Sequence, residues 1–423
     1  MLQSYKDKTA LVVDEGLFIE LARKLAKDFK RVMYYSPWKC DFPKSTNYRV
    51  GSGMEDIEKI DDMFDHIDET DIFVFPDIYR GDLQLYLESQ GHRVFGGRKG
   101  EELELFRDDA KKLFKKLGLD VGKYEVITGL ADLRTYLKEN DKQYVKINSI
   151  RGDTETFYSP SYDQIEPKLD ELEHVLGPTK FDMKFIVEEA IENAVETGFD
   201  GYCIDGKYPD ATIIGVEVKD CGYVGTFKKY SELPKEVTDF NDKIAPTMRD
   251  YHYRGFFSTE QRVTKDHKSF MIDACARCGS PPSELYQEMY ENIPDIVWFG
   301  AEGKLVNPIC KKKYGVEIVM NSVWGDKNWQ PISFPEKYRD NVKLRKFCII
   351  KDEYYVVPQH RGGPDGKAEI GALVATGDTR EEAIKKVKEV AEQVQGYDIE
   401  ICEDALDKAQ EEIDKLAKMG IKI

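Results

Sequence analysis

Over its first hundred residues the chain alternates short apolar runs with amphipathic stretches, and this alternation constrains the fold more than any other feature. Residues 9–13 (TALVV) read as a buried strand, residues 18–29 carry apolar side chains at helical spacing, and residues 32–35 and 72–75 read as further strands. A short helix over 83–87 precedes a strand at Val94 and Phe95. Strands alternating with helices predict a parallel, doubly wound sheet. Such sheets receive their ligands at the carboxyl ends of the strands. Asp14-Glu15-Gly16 and Pro76-Asp77 fall at those ends, either as ordinary polar turns or as an acidic entrance for a cationic or amine-bearing ligand.

The pattern breaks at Gly96-Gly97. A charged helix is expected over 101–117, then a strand at 124–127, a helix at 130–138 and a strand at 144–147. A polar loop over 148–155 leads to a helix at 165–176 and strands at 184–188 and 202–204. Residues 255–273 read as two extended runs turning at Lys265-Asp266-His267, a hairpin. Further strands and a helix over 380–394 follow. At about 150 residues per domain, 423 residues suggest roughly three domains. The expected parts are an N-terminal α/β domain over 1–97, a core over 98–303 and a C-terminal α+β domain over 304–423.

Composition narrows the function classes. Lys plus Arg is 62 against 79 for Asp plus Glu, a net charge of −17, so a phosphate backbone meets no general electrostatic attraction. No apolar run approaches the roughly 20 residues that span a bilayer. The N-terminal sequence meets Asp14 and Glu15 directly after its short apolar run, unlike a secretory signal. Eight cysteines scattered without a framework indicate free thiols in a reducing, cytoplasmic compartment. The lone CxxC, Cys275-Ala-Arg-Cys278, lacks the second pair or spaced histidines that structural zinc requires.

Three places combine charge with strand ends. Lys146 closes an apolar strand and is followed by a loop containing Arg151 and Gly152, an arrangement that presents a cation and backbone N–H groups to phosphate. Val187-Glu188-Glu189-Ala190-Ile191, with Glu196 shortly after, ends a strand in carboxylates and suits an adenosine slot. Glu260 and Asp273 lie on the two runs of the hairpin, where paired carboxylates can hold a hard cation, and Arg277 follows close behind to neutralise polyphosphate. Each has a plain alternative: an edge lysine, a solvated acidic turn, carboxylates kept for solubility.

Their order along the chain carries more weight. Arg93-Val-Phe-Gly-Gly97 resembles a VFGP junction, Tyr124-Glu-Val-Ile-Thr128 a YEVFT strand and Val187-Glu-Glu189 an IEE hinge. Phe270-Met-Ile-Asp-Ala-Cys-Ala-Arg-Cys-Gly279 resembles VIEFNARFG. Ala372-Leu-Val-Ala-Thr-Gly-Asp-Thr379 with Glu382-Ala383 resembles VTGLGDTLEEA. In this register, over nearly its whole length, the chain resembles the phosphoribosylamine–glycine ligase (glycinamide ribonucleotide synthetase) branch of the ATP-grasp superfamily. The resemblance implies an ATP-grasp core between a parallel α/β N-terminal domain and a C-terminal α+β domain, with nucleotide between the core's two lobes and the acceptor on the N-terminal side. It implies ATP and Mg²⁺ (Mn²⁺ as the substitute), a moving lid within 144–215, and ATP-dependent joining of a small-molecule carboxylate to an amine through an acyl phosphate. The alternatives are phosphoribosylamine–glycine ligation itself or a non-catalytic ATP-binding protein. Oligomerisation is left open.

By the same resemblance Lys146 and Arg107 face the nucleotide phosphates, and Arg277 the triphosphate. Glu188, Glu189 and Ile191 form the adenine hinge, Glu196 holds the ribose, and Glu260 and Asp273 ligate the metal. The departures are specific. Cys275 stands where the family has a metal-site asparagine, and a thiol is a poor Mg²⁺ ligand. The glycine-rich lid is reduced to Arg151-Gly152-Asp153, with Thr154 and Thr156 as donors. The substrate pattern PNTGGMGAYSP is replaced by Lys219-Asp-Cys-Gly-Tyr-Val-Gly-Thr226. The N-terminal glycine-rich turn is replaced by Val13-Asp-Glu-Gly16.

Overall fold

The computed structural model describes residues 4–37, 50–148, 156–219, 221–359 and 367–423. Five parallel strands open the chain: β1 (Tyr5–Val13), β2 (Phe29–Tyr35), β3 (Glu58–Lys59), β4 (Ile72–Val74) and β5 (Arg93–Phe95), in the order β3-β2-β1-β4-β5. Leu11, Val13, Met33, Phe73, Phe75 and Val94 pack one buried cluster, and Ala10, Val12, Val32, Tyr34, Ile72 and Val74 belong to a second. That near-continuous apolar content is what a parallel sheet covered on both faces requires. The expected helix over 18–29 is α1 (Ile19–Ala26), shorter because Phe29 already belongs to β2; α2 is Gly81–Ser89.

The helix expected over 101–117 divides into α3 (Glu102–Leu105) and α4 (Arg107–Lys116). Phe106, at φ −109° and ψ 68°, leaves the helical region and turns the chain between them. An antiparallel sheet follows, built from β6 (Tyr124–Thr128), β7 (Gln143–Ile147), β8 (Thr156–Ser159) and β9 (Lys184–Glu189) in the order β6-β9-β7-β8. Helices α5 (Leu130–Glu139) and α6 (Tyr162–Leu176) cover one face, packing Leu133, Leu137 and Leu169 on Val145, Ile147, Phe185 and Val187. The other face carries Lys146 and Glu188.

The largest sheet contains β10 (Ala194–Thr197), β11 (Asp200–Ile204), β12 (Ala211–Val218), β13 (Gly222–Lys229), β14 (Arg254–Thr264), β15 (Ser269–Cys275) and β16 (Tyr314–Ser322). The hairpin expected over 255–273 is the antiparallel pair β14–β15. β13 pairs β16, which pairs Ala368–Gly377, so this sheet runs without interruption past residue 303. Helix α7 (Lys235–Asp250) precedes β14, and α8 (Ser283–Met289) and α9 (Ile293–Ala301) follow β15. The helix expected over 380–394 spans Arg380–Ala391, and Ala405–Lys418 adds another. Among the described residues no helix is long and apolar enough to cross a membrane.

Candidate active site

A cleft of about 2200 Å³ lies between the four-stranded sheet and the large sheet, and reaches the carboxyl edge of the parallel sheet. Strand pairing sets the composition of its first wall. Tyr124 lies opposite Glu188, Glu188 opposite Tyr144, and Tyr144 opposite Tyr158. The next row runs Val126, Ile186, Lys146, Thr156. Directly paired residues share a face of the sheet, so these two rows stand side by side on the face away from α5 and α6.

Lys146 Nζ donates to Asp273 Oδ2 at 2.6 Å and sits 3.2 Å from Glu188 Oε1. Lys111 Nζ lies 3.1 Å from Glu188 Oε2, and Arg107 Nε 3.7 Å from Asp273 Oδ1. Lys146, Lys111, Arg107 and Glu188 are all buried. Burial alone would lower the Lys146 pKa, but Asp273 and Glu188 outweigh it and hold the ammonium charged. Burial alone would raise Asp273, but Lys146, Arg107 and Lys111 outweigh it, keeping that carboxylate well below its ordinary value. Lys111, by contrast, is pushed down, chiefly by burial. Three cations and two carboxylates are thus condensed where α4, β7, β9 and β15 meet.

The opposite wall brings the remaining carboxylates together. Glu260 on β14 lies directly opposite Asp273 on β15, with a β-bulge immediately after Glu260. Ser258 lies opposite Cys275. Glu196 on β10 pairs with Arg262 in register and by a 3.3 Å ion pair. Burial, followed by the Glu260 charge, raises the Glu196 carboxyl to about 7. Among the described residues no three His, Cys, Asp or Glu side chains form a metal cluster. The donor set nevertheless fits a hard divalent cation: Glu260 and Asp273 offer two carboxylates on one sheet face, and Mg²⁺ characteristically takes one or two from the protein, completing its shell with water and substrate phosphates. The Cys275 thiol adds nothing to such a set.

Arg277 stands at the junction with the parallel sheet. Its Nε donates to Glu104 Oε1 at 3.2 Å and lies 3.8 Å from Asp77 Oδ1, while Glu104 Oε2 accepts from the Ala276 N–H at 2.7 Å. The Cys278 N–H donates to the Pro76 carbonyl. The turn at Phe106 therefore points Glu104 toward Arg277 and Arg107 toward Asp273.

Of the residues expected from the sequence, Lys146, Arg107, Glu188, Glu196, Glu260, Asp273 and Arg277 all line the one cleft, as do Glu189 and Ile191. Arg151 and Gly152 lie outside the described residues. Glu188 lies at the end of β9 beside the expected hinge, with its carboxylate between Lys111 and Lys146 because its register position faces α4. One placement narrows the expectation. Asp14 is no entrance charge: it is buried, and its Oδ2 accepts from the Gly16 and Phe18 N–H groups and from Tyr34 Oη at 2.8 Å, tying down the turn into α1. Lys111 and Glu104 were not singled out in the sequence. Each is one charge among many on an amphipathic helix, and only the neighbouring strand shows its purpose.

No protein-family model and no curated protein sequence matches the chain. Solved structures do. A phosphoribosylamine–glycine ligase from Thermotoga maritima superposes with a TM-score of 0.68 over 94% of this chain and 99% of its own, at 16% identity. The biotin carboxylase domain dimer of Hydrogenobacter thermophilus 2-oxoglutarate carboxylase, in complex with MgADP, ADP and bicarbonate, gives 0.66 over 99% of both chains at 12% identity. The chain has the ATP-grasp fold. A Campylobacter jejuni biotin carboxylase in an ATP-analogue complex matches that fold too, at 0.64 over 97% of this chain and 96% of its own, with 13% identity. At such identities the likeness is one of fold, and in this ATP-grasp fold the condensed charges sit between the two sheets that form the cleft.

Proposed function

We propose that this protein is an ATP-dependent ligase that joins a carboxylate to an amine through an acyl phosphate. The observation that carries the reading is the convergence, in the cleft of an ATP-grasp fold, of Lys146, Arg107 and Arg277 with Glu260 and Asp273. A carboxylate oxygen is a poor leaving group at neutral pH. Transfer of the γ-phosphoryl group to it creates an acyl phosphate that an amine can attack, with phosphate as leaving group. Positioning and charge neutralisation supply most of the acceleration in such transfers. Mg²⁺, held by Glu260 and Asp273, supplies charge neutralisation at the phosphate oxygens when bound. Lys146 and Arg107 bind the phosphates from the wall above, Glu196 accepts from the ribose, and Arg277 neutralises charge on the triphosphate. The division into 1–97, 98–303 and 304–423, and a lid over 144–215 that excludes water, belong to the same proposal.

Lys146→Ala, Asp273→Ala and Arg277→Ala are each expected to lose ADP release, assayed over pooled amines and carboxylates, while keeping the wild-type circular dichroism spectrum. Unchanged ADP release in all three would sink the reading. Mg-ATP binding without turnover on any pool would leave a nucleotide-binding protein instead.

A further inference from the structure

Two half-buried cysteines from distant parts of the chain, Cys221 and Cys402, meet at the rim of the cleft, and the sheet register brings them there. One edge of β16 is taken up by the strand Ala368–Gly377, with Val319 opposite Ala372. The other edge is shared. β13 begins on it, Gly222 lying opposite Ile318, and the Cys221 carbonyl accepts from the Val319 N–H at 2.8 Å. The short strand Glu400–Ile401 continues along the same edge, with Ile401 opposite Met320. Two strand ends thus abut, and the slot opposite Val319 belongs to Cys221. The chain after Ile401 turns aside at Cys402, where the Glu403 N–H donates to the Ile401 carbonyl at 2.9 Å and closes a γ-turn centred on that cysteine. Consecutive slots on a strand edge are about 3.4 Å apart, and consecutive Cα atoms about 3.8 Å, so Cys402 stands beside Cys221.

Both cysteines line the cleft, and neither is buried. One ammonium registers both sulfurs: Lys408, held first by Asp404 at 2.6 Å, is further favoured in its charged form by Cys221 and Cys402. Cys203 and Cys278 are different. Burial pushes the Cys203 thiol up to about 12 and Cys278 well above its ordinary value, and such sulfurs are inert. We propose that Cys221 and Cys402 form a redox-active dithiol at the mouth of the cleft, closed to a disulfide by exchange with a low-molecular-weight disulfide such as glutathione disulfide. One cysteine thiolate attacks a glutathione sulfur, breaking that S–S bond and releasing one glutathione thiolate. The second cysteine thiolate attacks the protein sulfur of the mixed disulfide and releases the other. The dithiol is oxidised, glutathione disulfide is reduced to two glutathiones, and the two thiol protons pass through solvent to the released thiolates. The new bond fastens the start of β13 to the segment entering the helix Ala405–Lys418, whose Lys408, Glu411 and Lys415 also line the cleft.

The test equilibrates the reduced full-length chain with glutathione disulfide, quenches with acid, alkylates the remaining thiols and maps peptides by mass spectrometry without reduction. Wild type, Cys221→Ser and Cys402→Ser are compared, with circular dichroism checking that each is folded. The expected result is a peptide cross-linked between Cys221 and Cys402 in the wild type, lost again on adding excess reduced glutathione. In either serine variant the cross-link disappears and the remaining cysteine of the pair carries glutathione. Glutathione on both Cys221 and Cys402 of the wild type without a cross-link overturns the proposal, because the sulfurs then do not reach one another. So does a wild type in which neither cysteine reacts, or in which either pairs with another cysteine instead. None of these outcomes depends on what the cleft binds, so the nucleotide reading stands or falls separately.

Discussion

At the scale of single residues the site neutralises itself. Lys146 and Arg107, which we propose meet the phosphates, are both paired with Asp273, which we propose holds the metal. A polyphosphate that draws Lys146 away frees Asp273 for the cation, and a cation on Asp273 frees Lys146, so the two ligands are expected to bind with reciprocal positive coupling. Lys146→Met removes the 2.6 Å bond and should separate the effects. Mn²⁺ alone, followed by electron paramagnetic resonance, should bind the variant more tightly than wild type. Mg-ATP should bind it more weakly, and turnover should fall about a hundredfold or more. Weaker Mn²⁺ binding by the variant would contradict this arrangement.

At the scale of elements, the carboxyl edge of the parallel sheet is held by buried carboxyl groups. Glu101 Oε2 accepts from the Arg80 and Gly81 N–H groups at the start of α2, an N-terminal cap supplied from outside the helix. Burial raises its pKa from 4.5 to about 7 in spite of these bonds. Burial likewise raises Asp14, from 3.8 to about 6. A carboxyl raised on folding binds its proton more tightly in the folded state. Stability therefore declines as pH rises from the unfolded value toward the folded one and is flat above it. For Glu101 the shift corresponds to about 3 kcal/mol. The melting temperature should fall between pH 5 and pH 8, and Glu101→Gln, which keeps a carbonyl acceptor, should flatten part of that slope. Identical slopes in the two proteins would show that Glu101 does not titrate in this range.

Periodicity made these elements legible to different degrees. The strands around Lys146 and the β14–β15 hairpin were readable because apolar alternation and a turn are local signals. The turn at Phe106 was not, because the segment carries helix-forming residues on both sides and the break places Glu104 and Arg107 against different neighbours. Residues 283–301 are almost wholly buried although they include Glu284, Gln287 and Asp295, so polar side chains inside the core blur the apolar period there. At Asp14 the sequence left two readings open, because a carboxylate after a strand looks the same whether it faces solvent or caps a turn; the structure has the turn.

Across the whole molecule, the parallel sheet is joined to the rest by a partly buried ionic knot. Arg98 is fully buried and donates to Glu88 at 2.9 Å and to the Gly96 and Val94 carbonyls. Arg254, at the start of β14, reaches the same Glu88 at 3.3 Å and pairs with Asp205 at 3.0 Å. Removing one member leaves a buried charge uncompensated, which is the costly way to break such a knot. Glu88→Gln should destabilise the protein by about 3 kcal/mol in denaturant titration and leave Mg-ATP affinity unchanged, since Glu88 does not line the cleft. The fold as a whole was readable from the order of motifs over the chain, whereas the acceptor end was not. There the family patterns are replaced, and the residues lining the cleft come from segments hundreds of positions apart.

The central claim is that the cleft holds a nucleotide through Lys146. Calorimetric titration of Mg-ATP into wild type and Lys146→Ala tests it most directly. Saturable binding to wild type, clearly weakened in the variant, is the result this account predicts. No binding to either protein, or equal binding to both, would contradict it.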